Sequence, residues 1–168
     1  MKGNIVVTSS KCIGCHSCEI ACAVEHSQSK NLFLAIDEHP RPQKRVLVES
    51  YGRSNLPLQC RHCEDAPCVQ VCPTGALVKQ GVEEAVVLND NLCIGCKWCV
   101  LVCPFGVIMM APDDHIMIKC DLCRERSEAG RLPACVESCH TGALQLASTA
   151  QMARMKRREF LVEFLRDQ

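Results

Sequence analysis

Sixteen cysteines in a chain of 168 residues, close to one residue in ten, constrain this sequence more than any other feature. That density belongs either to a disulfide scaffold or to a metalloprotein. The cysteines fall into four sets of four. Set one is Cys12, Cys15, Cys18 and Cys22; set two is Cys60, Cys63, Cys68 and Cys72; set three is Cys93, Cys96, Cys99 and Cys103; set four is Cys120, Cys123, Cys135 and Cys139. Sets one and three read C-x2-C-x2-C-x3-C. Set two lengthens its second gap to four residues, and set four stretches it to eleven, Arg124 through Ala134. Every set closes on C-x3-C, and no cysteine is left over.

The spacing has a physical reading. Three cysteines at two-residue gaps on a looping chain reach three irons of one cubane, and this is the run found in bacterial ferredoxins. Gly14 and Gly95 let the backbone curl close and direct amide hydrogens at sulfur. The fourth cysteine, after a longer gap and at a short helix, serves the other cluster of a pair. Pro73 and Pro104, directly after Cys72 and Cys103, suit the chain reversal by fixing φ. Structural zinc is the first rival, because sets two and four contain paired C-x2-C units. The triple C-x2-C-x2-C, present twice, is not zinc-like. Disulfides need an oxidising compartment, and the segment before Cys12 has neither an apolar secretory core nor a twin arginine. No apolar run reaches bilayer length. The expectation is four [4Fe–4S] clusters in a cytoplasmic protein without a membrane span.

Charge and composition fit a chain that leans on metal. Nineteen Lys and Arg balance nineteen Asp and Glu, but that count treats each cysteine as neutral. A [4Fe–4S] core on four thiolates carries about −2, so four would bring the loaded protein to about −8. Lys11, Arg61, Lys97, Lys119 and Arg124 lie within one residue of a cysteine and could offset part of this. Only four Phe, one Trp and one Tyr are present, a lean core that needs staples. No nucleic-acid partner is expected.

An internal duplication organises the chain. Val71-Cys72-Pro73-Thr74-Gly75-Ala76-Leu77 recurs as Ser138-Cys139-His140-Thr141-Gly142-Ala143-Leu144, and Lys11-Cys12-Ile13-Gly14-Cys15 as Leu92-Cys93-Ile94-Gly95-Cys96. This predicts one domain over residues 1–147, in two intertwined halves of about 1–80 and 81–147. Ile5–Val7 and Arg45–Glu49 read as strands. Ala76–Val78 with Ala85–Leu88, and Val107–Met110 with Ile116–Ile118, read as hairpins. Residues 25–57 form a long insertion, read as a covering or docking loop. In 148–168, Met152, Met155, Phe160, Leu161, Phe164 and Leu165 recur at helical spacing beside Arg154, Lys156, Arg157 and Arg158, predicting an amphipathic C-terminal helix packed on the domain.

Over residues 3–147 the arrangement resembles the four-cluster iron–sulfur subunits of the dimethyl sulfoxide reductase and formate dehydrogenase family. The strings Cys18–Ser27 and Arg61–Asp65 are most similar to the ferredoxin-like carrier that accompanies anaerobic nickel carbon monoxide dehydrogenase. The resemblance implies an α+β fold of tandem ferredoxin-like modules, with short hairpins and helices around the clusters. It also implies crossed ligation. Cluster one would take Cys12, Cys15, Cys18 and Cys139; cluster two Cys93, Cys96, Cys99 and Cys72; cluster three Cys60, Cys63, Cys68 and Cys103; cluster four Cys120, Cys123, Cys135 and Cys22. His140 and Ala23 depart from the proline that follows Cys72 and Cys103.

With all sixteen cysteines used as ligands, no iron stays open to substrate, which implies electron transfer without catalysis. His16, His26, His39, His62, His115 and His140 form no spaced triad; His16, His62 and His140 adjoin ligands and could tune a potential. Trp98, between Cys96 and Cys99, is read as a shield. The expected partners are carbon monoxide dehydrogenase or a molybdenum or tungsten formate dehydrogenase on one side, and a hydrogenase or flavin reductase on the other. A formate–hydrogen complex and a free diffusible polyferredoxin are the alternatives.

Overall fold

A computed structural model describes residues 3–81 and 84–166. In chain order the elements are β1 (Asn4–Val7), α1 (Ser17–Glu25), α2 (Leu32–Ala35), β2 (Val46–Tyr51), β3 (Ser54–Gln59), α3 (Pro67–Gln70), β4 (Leu77–Lys79), β5 (Val86–Leu88), α4 (Trp98–Leu101), β6 (Met109–Met110), β7 (Met117–Ile118), α5 (Arg124–Glu128), α6 (Ala134–Glu137), β8 (Leu144–Ala147) and α7 (Thr149–Arg166). The chain is α+β, with short antiparallel hairpins, short helices and one long C-terminal helix.

Among the described residues the strands pair in twos, all antiparallel. The hairpins β4–β5 and β6–β7 fall where alternating apolar runs predict them; Val82 and Glu83, between the first pair in sequence, lie outside the described residues. Two pairings are not legible locally. Strand β1 pairs with β8, Ile5 opposite Leu146, which joins the first and last strands of the domain. Strand β3 fills part of the insertion and pairs with β2 across a tight turn at Gly52, whose φ is +59°. Pro57 hides β3 from sequence reading, because proline donates no ladder hydrogen bond. It sits opposite Val48 and is fully buried.

Four-residue helices are too short to be stable alone, and local devices start them. Pro67 opens α3 with its φ preset. The Asn31 side chain accepts hydrogen bonds from the backbone N–H groups of Phe33 (3.0 Å) and Leu34 (3.4 Å) at the start of α2. Their main support is the core. One buried cluster gathers Ala66, Leu77, Val86, Ile108 and Met117 around Cys68 and Cys99; the other gathers Ile5, Val46 and Leu144 around Cys18, Cys22 and Cys135. Each draws on both sequence halves.

Helix α7 differs from its expectation. It forms, but no residue in it is buried. Phe160 is 67% and Leu165 60% exposed, and the Phe160 and Phe164 rings stack on each other, centroids 6.1 Å apart. The helix touches the body through β8. Its apolar residues therefore mark an open face rather than a packed one.

Candidate metal centres

All four cysteine loops contain left-handed residues, and in sets one and three these alternate with ordinary ones. Gly14 (φ +69°) and His16 (φ +58°) bracket Cys15; Gly95 (φ +65°) and Lys97 (φ +66°) bracket Cys96; His62, Leu122 and Cys123 are left-handed in the other two loops. Such alternation turns successive N–H groups inward and forms a concave seat for an anion. Amides reach the sulfurs: Arg45 N donates to Cys22 Sγ at 3.2 Å, Leu144 N to Cys139 Sγ at 3.4 Å, Leu122 N to Cys120 Sγ at 3.4 Å and His62 N to Cys60 Sγ at 3.5 Å.

The C-x3-C pairs span one helical turn. The third cysteines Cys18, Cys68, Cys99 and Cys135 lie within α1, α3, α4 and α6 and are buried. Of the fourth, Cys22 lies inside α1, while Cys72, Cys103 and Cys139 come two residues past the ends of α3, α4 and α6. The helices thus hold third cysteines, and their ends present the fourth. After each of those three ends the chain makes the same turn: Gly75 N donates to Cys72 O and Gly106 N to Cys103 O, both at 3.3 Å, and Gly142 N to Cys139 O at 3.1 Å. His140 takes the place of Pro73 and Pro104 without altering it. The duplication extends to Thr74 and Thr141, whose hydroxyls lie 3.7 Å from Cys72 Sγ and Cys139 Sγ.

None of the sixteen cysteines is in a disulfide, and they assemble across sets. Cys72 lines one pocket with Cys93, Cys96 and Cys99. Cys103 and Cys60 both act electrostatically on Cys68. Cys139 and Cys15 act on Cys18. Cys22 acts on each of Cys120, Cys123 and Cys135. Cys63 packs beside the core that holds Cys68 and Cys99, and Cys12 follows a short helical turn whose Ser9 carbonyl accepts from its amide. Burial pushes the thiols of Cys18, Cys68 and Cys123 up to about 11, with neighbouring acids and cysteines adding to the shift. Cys120 and Cys135 are pushed higher still, again chiefly by burial. Grouped buried thiols resist ionisation until a cation supplies the missing charge. An all-thiol donor set in concave, amide-lined seats fits soft, thiolate-bound iron.

Around set four lies a charged network that sequence reading misses. His26 Nδ1 donates to Cys22 O at 2.7 Å, and its Nε2 donates to Asp121 Oδ1 at 3.2 Å. Burial opposes a charge on His26, yet the Asp121 carboxylate and Cys22 raise its pKa to about 9. Burial would likewise raise the Asp121 carboxyl, but the His26 hydrogen bond and Arg45, at 2.6 Å, hold it well below the usual range. Arg45 and Asp121 are 76 residues apart, so no local pattern announces them. Of the histidines beside ligands, only His62 is buried; burial, then Lys119, lowers its pKa to about 3, and its Nδ1 accepts from Val86 N at 3.0 Å. Trp98 is 59% exposed. It stands at the first position of α4, one residue before Cys99.

Comparison with known proteins agrees with this architecture. The chain matches 4Fe-4S dicluster domains over residues 53–149 and, through a second domain, over 11–77. It is 39% identical to the iron-sulfur protein of Rhodospirillum rubrum, covering 87% of this chain and 83% of that one. It is 34% identical to formate hydrogenlyase subunit 2 of Escherichia coli, covering 97% and 90%. It is 43% identical to UacF of Escherichia coli over 152 residues. The chain spans only 22% of the length of UacF and 23% of that of AegA, a further Escherichia coli relative. Two dicluster domains, with sixteen cysteines, give four [4Fe–4S] clusters and a role in electron transfer. This chain belongs to the 4Fe-4S dicluster domain family.

Proposed function

We propose that this chain is the electron relay of a redox complex, with carbon monoxide dehydrogenase as its catalytic partner and a hydrogenase or flavin reductase as acceptor. When bound, the clusters supply one-electron transfer and leave no iron open to substrate. The chain's own residues seat them, exclude water and set the surrounding charge.

The observation that carries the relay is the crossed grouping of thiols. It supports the ligand sets Cys12, Cys15, Cys18, Cys139; Cys93, Cys96, Cys99, Cys72; Cys60, Cys63, Cys68, Cys103; and Cys120, Cys123, Cys135, Cys22. Cys18 also acts on Cys135, and the two share one buried cluster, so the first and fourth sites are neighbours. The second and third share one core. The domain proper is residues 1–147, with 148–168 appended to it, and no described helix is long and apolar enough to cross a membrane. We assign the protein to the cytoplasm, where thiols stay reduced.

The choice of carbon monoxide dehydrogenase rests on the strings Cys18–Ser27 and Arg61–Asp65. A second reading, a formate dehydrogenase partner, is favoured by the nearly full-length similarity to formate hydrogenlyase subunit 2. Anaerobic mixing separates them. Carbon monoxide dehydrogenase with carbon monoxide should bleach the visible absorption of the protein within seconds, and the protein alone should turn over neither substrate. Reduction by formate dehydrogenase with formate, and not by the first pair, would replace the partner and keep the relay.

A further inference from the structure

Five basic residues adjoin cysteines, and four of them meet solvent, an acid or a ring. Lys11 is exposed, Lys97 pairs with Asp114 and Arg124 with Glu128, and Arg61 lies 6.0 Å above the Phe105 ring. Lys119 does none of these. It is only 4% exposed. Its Nζ donates to the carbonyls of Val86 and of Cys120, the latter at 2.7 Å.

The other buried charges have counter-charges. Glu19 pairs with Lys44 at 2.7 Å, and Arg126 with Glu25 and Glu137. Among the described residues, no carboxylate stands within 4.0 Å of Lys119 Nζ. Asp121, two residues on, is taken by Arg45 and His26. An ammonium held in the interior by carbonyls alone is an uncompensated charge, which folded proteins rarely carry. Its two acceptors belong to two different sites: Cys120 is a ligand of one, and Val86 packs in the buried core that holds Cys68 of the other. Lys119 also closes a hydrogen-bonded path between those sites. His62, between Cys60 and Cys63, accepts from Val86 N; Val86 O accepts from Lys119; Lys119 adjoins Cys120.

We propose that Lys119 is a positioning residue shared by two clusters, those on Cys60, Cys63, Cys68, Cys103 and on Cys22, Cys120, Cys123, Cys135, and that its fixed charge raises both midpoint potentials. The proposal rests on the ligand sets given above. Reducing either site by one electron adds one negative charge beside the ammonium, which offsets it at both. Lys119 moves no proton and makes no bond. It links the site shared by sets one and four to the one shared by sets two and three, across the boundary between the two cores.

The test is a potentiometric titration of the anaerobic, fully loaded chain, followed by electron paramagnetic resonance, for the unaltered protein and for Lys119→Met and Lys119→Arg. Signals are assigned with Cys22→Ser and Cys103→Ser. In Lys119→Met two midpoints should fall, each reduction equilibrium weakening about tenfold, or ~59 mV for a one-electron couple. The other two should stay, and Lys119→Arg should keep all four near their original values. Unmoved midpoints, a shift at one cluster alone, or an equal shift at all four would overturn the proposal. If Lys119→Met does not load fully, Lys119→Gln, which keeps a donor without the charge, is titrated instead; failure of that variant to load would also overturn it, in favour of a purely structural role. Errors in the ligand sets show separately, because Cys22→Ser or Cys103→Ser would then disturb the wrong signals while the Lys119→Met shifts persisted.

Discussion

Gly14 and Gly95 hold the same place in the two repeats, yet their surroundings differ. A Cβ built on Gly95 would meet the His115 carbonyl oxygen at 2.6 Å, and one built on Gly14 would meet the Asn55 side chain at 2.9 Å. Backbone cannot swing aside, and an amide side chain can. Both substitutions pay for a left-handed conformation, about 1–2 kcal/mol. Gly95→Ala adds the clash and should cost about 3 kcal/mol in all; it should also lose iron from the set-three loop. Anaerobic thermal transitions and iron content of the two variants check this, and equal effects would show that the His115 contact is unimportant. The crossed grouping of thiols is testable at the same scale. Cys139→Ala should disturb the cluster of Cys12, Cys15 and Cys18 and leave that of Cys120, Cys123 and Cys135 intact. Resolved spectra with the reverse pattern would refute the crossed sets.

Among the elements, α7 stands apart. It buries no residue, places Arg154, Lys156, Arg157 and Arg158 within its first ten residues, and exposes Phe160, Leu161, Phe164 and Leu165 in the rest. A chain ending at Ser148 should keep its iron, and its melting should shift by no more than about 0.5 kcal/mol of stability, the usual scale for surface changes. Reduction by the partner enzyme should slow, and the slowing should shrink at high salt if these basic residues contribute. Unaltered reduction rates would remove α7 from the docking surface. The β2–β3 hairpin is the contrasting insertion. It brings Arg45, the residue before β2, to Cys22 and Asp121, so part of the long insertion builds the wall of a metal site as well as covering it.

For the whole molecule the decisive quantity is metal. Anaerobically isolated protein should hold about 16 iron and 16 sulfide per chain. About eight iron in a fully folded preparation would exclude four clusters. Both cores are built around cysteines, so stripping the iron removes the charge that holds grouped thiolates together, and folding and metal loss should be coupled. Circular dichroism during chelation should follow the visible absorbance. Preservation of the full signal after bleaching would show a core that stands without its clusters. The loaded protein should also bind anion exchangers far more strongly than a chain of pI 7.0, because four anionic clusters bring it to about −8.

How much of this was legible in advance follows from the range of the interactions. The number and kind of clusters, the hairpins at Leu77–Leu88 and Met109–Ile118, and the turn after each proline or His140 all depend on residues a few positions apart, which spacing and φ preference determine without help. Other features join distant parts of the chain. The β1–β8 ladder pairs Asn4 with Ala147, Arg45 N reaches Cys22 from 23 residues away, and Lys119 reaches Val86 from 33. No pattern in one stretch encodes the other's arrival. The same holds for burial: Lys119 and Lys97 look alike beside their cysteines, and only the folded chain makes one an enclosed charge and the other a solvated one. Local chemistry decides what is bound. Long-range packing decides which charges surround it, because a charge acts on a cluster only where the fold excludes water between them.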